Sequence, residues 1–255
     1  MRLCAFAPAV FAALVTHALS AETGCLNRLV TVQGSTYRYV VYVPSDWTAQ
    51  KRWPVILFLH GSIERGDDGL AQSRVGLGHV VREHPDRYPA VIVMPQCRKD
   101  AAWDGDAMQA QALAALDASS AEFNGDPART YLTGFSMGGY GTWSIAAKYP
   151  HRFAALVVIC GGILWPPDVA MRPIDLHADN PYTRTAQKVA GLPIWVFHGS
   201  EDRNVPVTES QRMVSVLKTA HANVKYTEYK GADHFIWDRA YAESELPVWL
   251  FQQHR

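Results

Sequence analysis

The stretch "RTYLTGFSMGGYGTW", Arg129 to Trp143, decides the reading of this chain. Its first half, Arg129 to Phe135, is rich in β-branched and aromatic residues, as a strand requires. From Met137 to Lys148 the pattern suits a helix. Between the two stands Ser136, inside Gly134-Phe135-Ser136-Met137-Gly138. Glycine weakens both strands and helices, so its presence on either side of one serine calls for a local reason. A sharp strand-to-helix turn supplies one. It holds the serine in a strained conformation, lifts its hydroxyl above the sheet edge, and needs neighbours without side chains. The helix N-terminus then points free N–H groups at any negative charge that forms there.

Working outward, continuous apolar runs recur at Pro54–Gly61, Pro89–Gln96, Phe153–Gly162 and Leu192–Gly199. Strands buried on both faces of a parallel sheet have this composition. Tyr37–Val43 and Val224–Gly231 add two further strands. Helical patterns lie between them, over 106–123, Met137–Lys148, Thr208–Ala220 and Tyr241–Gln253. Asp106 with Gln109, and Thr208 with Gln211, have the spacing of capping pairs. Alternation of this kind predicts an α/β fold with a mainly parallel sheet flanked by helices. The long connection Ile163–Val189 is expected to form a short cap segment over one end of the sheet.

The chain has 255 residues, 48% apolar, with 24 basic and 24 acidic residues. That length suffices for one core, so 22–255 is expected to be a single domain. No basic stripe points to nucleic acid. At the N-terminus, Arg2 precedes an apolar run from Leu3 to Val15, followed by Ala18, Ser20 and Ala21. This reads as a signal peptide over 1–21, which predicts a secreted or periplasmic protein without stable membrane insertion after cleavage. Cys25, Cys97 and Cys160 remain beyond it, and at most one bridge can form among them. No metal-binding spacing is present, and neither a metal nor a cofactor is expected.

Two downstream segments offer partners for Ser136. Asp202 follows the strand Leu192–Gly199 in "VFHGSEDRNVP", and His234 follows Val224–Gly231 in "YKGADHFIW". In a catalytic triad of this composition, the imidazole takes the hydroxyl proton, and the carboxylate fixes its tautomer. Glu201 and Asp233 are rivals for the carboxylate role. His60 and His198, each ending a strand before glycine, are expected to shape loops. The oxyanion donors are expected to be the Met137 N–H and that of Ser62, with Ile63 as the alternative. Glu64 and Arg65 are expected to brace that loop. Trp103, Phe135, Trp165 and Trp237 are candidates to line a substrate pocket.

"LFLHGSIERGDDG", "VIVMPQC", "DPARTYLTGFSMGGYGTW", "PIWVFHGSEDRNVP" and "GADHFIWDRAY" together resemble the secreted esterase branch of the α/β-hydrolase superfamily. That branch includes feruloyl esterase and polyhydroxybutyrate depolymerase-like proteins. The order Ser, Asp, His is that of this fold. The resemblance spans most of the mature chain. It implies an α/β-hydrolase fold and a serine hydrolase that cleaves small-molecule or polymer-linked carboxylic esters through an acyl-enzyme, with Ser136, Asp202 and His234 as the triad. A serine peptidase of the same fold and a non-catalytic binding protein are the alternative readings. Ser62-Ile63 departs from the small residue and glycine that similar proteins carry after His60-Gly61.

Overall fold

The computed structural model describes residues 22–166 and 180–255. Its strands form one eight-stranded sheet in the order β1-β2-β4-β3-β5-β6-β7-β8. The first two are the hairpin β1 (Gly24–Val32) and β2 (Ser35–Val43). The remaining six are β3 (Trp53–Leu59), β4 (Val91–Pro95), β5 (Gly125–Phe135), β6 (Ala155–Ile159), β7 (Ile194–Gly199) and β8 (Val224–Tyr229). These six pair in parallel, whereas β2 runs antiparallel to both β1 and β4. The mainly parallel α/β architecture expected from the sequence is therefore present. All residues of β3, β4, β6 and β7 are buried, which explains their unbroken apolar composition.

Helices cover both faces. On one side lie α2 (Asp106–Glu122), α3 (Met137–Lys148), α4 (Pro181–Val189) and α5 (Thr208–Thr219), and their inward residues join one core cluster. On the other lie α1 (Leu77–Glu83), α6 (Trp237–Ala242) and α7 (Glu245–Phe251), packed on a second cluster. Among the described residues, no helix is long and apolar enough to cross a membrane.

Several local expectations need correction. The edge strand β1 was not expected, because it alternates half-buried and exposed positions and carries little apolar signal. Its hairpin turn, Gln33-Gly34, has positive φ at both residues (50° and 80°), the geometry that suits the twist of a two-residue turn. Neither capping pair forms. Gly105 and Val207 precede α2 and α5 without a side-chain cap, while Gln109 turns inward to Ser144 and Gln211 reaches Glu228. The C-terminal helix is two helices. Pro247, which lacks an N–H and would crowd residue 243 in a continuous helix, sits in the first turn of α7 instead.

Within the expected cap, residues 167–179 lie outside the described residues. The later part is α4, whose Tyr182, Ala186 and Val189 belong to the core. That part is a layer helix rather than a cover over the sheet end. Cys25, Cys97 and Cys160 are free thiols, the first exposed and the other two buried.

Candidate active site

Five connections at the C-terminal edge of the parallel sheet, those after β3, β5, β6, β7 and β8, converge on one cavity of about 350 Å³, and its lining includes Ser62, Ser136, Met137 and His234. Placement at this edge follows from parallel topology, where strand ends and the loops between strand and helix gather on one side.

Ser136 stands between β5 and α3 with φ 53° and ψ −122°, a left-handed backbone that a non-glycine residue adopts only under constraint. The constraint is visible in the backbone. The Ser136 N–H donates to the Ile159 carbonyl (2.9 Å), and the Ser136 carbonyl accepts from the Gly139 N–H (2.8 Å). A β-carbon on Gly134 would stand 2.3 Å from the Gly138 carbonyl oxygen, and one on Gly138 would stand 2.0 Å from that of Leu59. The two glycines thus let the turn, the helix and β3 meet at main-chain distance.

His234 reaches the serine from the loop after β8. Its Nε2 lies 2.9 Å from Ser136 Oγ, and its Nδ1 lies 2.6 Å from Asp202 Oδ2. The other carboxylate oxygen, Oδ1, accepts from the Asn204 N–H (2.9 Å) and the Val205 N–H (2.8 Å). Burial by itself would raise the Asp202 pKa. Hydrogen bonds from His198, His234 and the Val205 amide outweigh it and hold the carboxyl well below the usual carboxylate range. The rivals sit elsewhere. Glu201 is exposed, and Asp233 Oδ1 accepts from the Arg203 and His234 backbone amides, tying the two loops together.

Cys160 Sγ, an Asp202 oxygen and a His234 nitrogen lie within 4.8 Å of one another. Burial pushes the Cys160 thiol well above its usual range, which opposes the thiolate that a metal ligand must become. The His234 and Asp202 atoms are already engaged with each other.

Ser62 and Met137 both line the cavity, as does Ile63. Met137 opens α3, so its N–H has no intrahelical acceptor. The loop that carries Ser62 is braced from behind. Arg65 donates to the Ser62 carbonyl (3.0 Å) and to that of Ala101 (3.3 Å). His60 is buried, with Nδ1 2.6 Å from the Gly61 carbonyl and Nε2 accepting from the Cys97 N–H (2.9 Å). Its pKa is lowered to about 4, chiefly by burial. It shapes the loop, as expected.

Glu64 forms no ion pair with Arg65. It faces the cavity, and its buried Oε2 has no hydrogen-bond partner among the described residues. Burial raises its pKa.

The four aromatic candidates separate. Phe135 and Trp237 line the cavity as a stacked pair, with centroids 4.4 Å apart and planes at 24°. Trp165 lines it too, stacked on Tyr140 at 4.0 Å, with its Nε1–H donating to Asp104 (3.0 Å). Trp103 does not line it. Its ring is fully buried against His60 and Gly141, and its Nε1–H donates to the His60 carbonyl (3.0 Å). It supports the loop from the core side.

Two contributors were not anticipated. The buried Glu209 accepts from the Ile163 and Leu164 amides and from the Tyr182 hydroxyl, fixing the backbone just ahead of Trp165. Val207-Thr208-Glu209 at the start of α5 carries no distinctive pattern, so sequence gives no cue to it. The second is His198, expected only to shape a loop, which also approaches Asp202.

A model of the Esterase family matches residues 31–249 of the chain. The chain belongs to that family. Among solved structures, this Esterase-family chain is similar to a thermostable esterase, with a TM-score of 0.77, 29% identity, and coverage of 91% of this chain and 63% of that one. It is 28% identical over 181 residues to the bifunctional acetylxylan esterase/xylanase XynS20E of Neocallimastix patriciarum, covering 66% of this chain and 25% of the relative. It is 28% identical over 116 residues to an uncharacterized secreted protein of Arthroderma benhamiae, covering 41% of this chain and 12% of the relative. The chain thus spans a quarter or less of the length of these two curated relatives. The α/β-hydrolase architecture expected above is shared with the solved esterase.

Proposed function

We propose that this Esterase-family chain is an exported serine hydrolase that cleaves carboxylic esters through an acyl-enzyme. The observation that carries the reading is the unbroken hydrogen-bonded chain Ser136–His234–Asp202 at the wall of a partly aromatic cavity.

His234 Nε2 removes the Ser136 hydroxyl proton as Oγ adds to the ester carbonyl. The charge that develops on the carbonyl oxygen is met by the Met137 and Ser62 amides, each such donor contributing about 2.7–4 kcal/mol to transition-state stabilisation. The imidazolium formed on His234 is balanced by the Asp202 carboxylate. It then gives its proton to the departing alcohol as the C–O bond breaks. Water, deprotonated by the same imidazole, attacks the acyl-serine and releases the acid with Oγ reprotonated. These steps require no cofactor. Phe135, Trp237 and Trp165 supply an apolar wall, so the substrate is an ester with an apolar or aromatic portion, free or linked to a polymer. Similarity to a secreted fungal protein and the N-terminal pattern support export.

The test compares wild type with Ser136→Ala on p-nitrophenyl esters of rising chain length, methyl ferulate and a p-nitroanilide peptide. Ester turnover should fall by about 10⁶-fold in the variant, and a fluorophosphonate probe should label Ser136 alone. Turnover of the anilide only would identify a peptidase. A folded wild-type protein that neither labels nor turns over any substrate would sink the catalytic reading.

A further inference from the structure

His198 is the penultimate residue of β7, four positions before Asp202, and its side chain is fully buried. It approaches the same carboxylate oxygen that His234 engages. His198 Nε2 lies 2.9 Å from the Val205 carbonyl and 3.2 Å from Asp202 Oδ2. Both partners can only accept, so Nε2 carries a proton. On the opposite edge of the ring, Nδ1 lies 2.7 Å from the hydroxyl of Ser210 on α5, which in turn stands 3.5 Å from the Gly161 carbonyl.

We propose that His198 is a positioning residue for the Asp202–His234 pair: its Nε2–H, fixed between Val205 and Asp202, aims Oδ2 at His234 and shares its charge. The inference rests on the reading of Asp202 and His234 as a working pair. With two backbone amides on Oδ1 and two imidazoles on Oδ2, the carboxylate cannot rotate without losing several charge-assisted bonds at once. A histidine that served the scaffold alone would find its partners in the scaffold. This one spends its only fixed donor on the loop that carries the carboxylate and on the carboxylate itself.

The surrounding charges leave that role to His198. Glu228, its register neighbour on β8, accepts from Tyr226 and Gln211. Glu209, next to Ser210 on α5, is taken up by the Ile163 and Leu164 amides and Tyr182. Just after β6 and on α3, Cys160 and Tyr140 lie near Asp202 with burial opposing ionisation of both. Removal of the His198 donor therefore leaves more of the Asp202 charge for His234 and stabilises its imidazolium.

The test uses three variants of the full chain. His198→Gln retains a donor at about the position of Nε2, His198→Asn carries the same amide one bond short, and His198→Leu has none. Relative to wild type, the Leu and Asn variants should lose about tenfold in kcat with KM nearly unchanged. The acid limb of their kcat/KM profile should move up by about half a pH unit. The Gln variant should recover most of both. An NMR titration of the His234 imidazole in the same proteins should give the same upward shift, and it reads the coupling whether or not any ester turns over. If Leu fails to fold, the Gln–Asn pair carries the comparison. An unmoved His234 titration in Asn, or equal loss in Gln and Asn that follows thermal stability alone, would overturn the proposal. Absence of ester turnover with a shifted His234 titration would instead count against the function and leave the positioning role standing.

Discussion

Two carboxyl groups lie close to the same cavity, Glu64 in its lining and Asp202 behind His234, and they are buried to nearly the same degree, Asp202 at 9% exposure and Glu64 at 7%. Their electrostatic fates are opposite. Asp202 is surrounded by donors from two backbone amides and two imidazoles, and its pKa is driven down against the effect of burial. Glu64 has an oxygen without a hydrogen-bond partner among the described residues, its nearest cationic candidate being the His60 ring 3.9 Å away, and burial drives its pKa up. Depth below the surface does not decide whether a carboxyl is charged. The number of hydrogens aimed at it does.

The comparison can be broken from the anionic side. Asp202→Asn leaves a neutral group where four donors converge, and kcat for esters should fall about 10⁴-fold through loss of the correct His234 tautomer. The folded Asp202 carboxyl sits below its unfolded value. The stability it contributes is therefore present above about pH 4 and is lost as pH falls further. Urea midpoints measured down to pH 2.5 should show a shallower decline in the Asn variant than in wild type.

His60 sharpens the same contrast from a group held neutral. Its folded pKa is lowered to about 4 by burial, so its contribution is full above the unfolded value of about 6.5 and is lost as pH falls through that window. The full loss comes to about 3 kcal/mol. Chemical denaturation at pH 7.5 and pH 4.5 should reveal most of that loss, and His60→Gln should reduce the difference. An equal pH dependence in the variant would assign the effect to another group.

The smallest effect is expected at Glu64. A carboxyl whose folded pKa is raised contributes its full stability below the unfolded value and loses it as pH climbs through the folded one. Glu64→Gln does not titrate, so its melting temperature should exceed that of wild type by about 1–3 °C at pH 8 and match it at pH 4. A drop at pH 8 would show that Glu64 is ionised and paired in solution.

What sequence could disclose follows the same division between local and convergent physics. Ser136 was legible because a strained turn is written locally, as glycines two residues to either side. The parallel strands were legible because burial on both faces leaves unbroken apolar runs such as Val55–Leu59. Strand β1 was not, since an edge strand half in solvent needs no such run. Asp106 and Gln109 had the right spacing for a cap, yet a half-buried Ser144 on another helix claimed the glutamine. Trp103 and Trp237 both lie in loops or at a helix start near functional segments. Only three-dimensional packing turns one toward the core and the other toward the cavity. The same holds for His198. Its position beside Asp202 depends on a loop folding back over four residues, and no pattern along the chain records that return.

The glycines around Ser136 carry a consequence for descent. Side chains can yield to one another, but a β-carbon at 134 or 138 would strike a main-chain carbonyl that holds the sheet and helix together. The residue at 136 can be exchanged without that collision. A lineage built on this fold can therefore abandon its chemistry more easily than it can abandon the bend that once presented it. A descendant that had become a mere binding protein would still carry glycine at both places, a fossil of an activity it no longer performs.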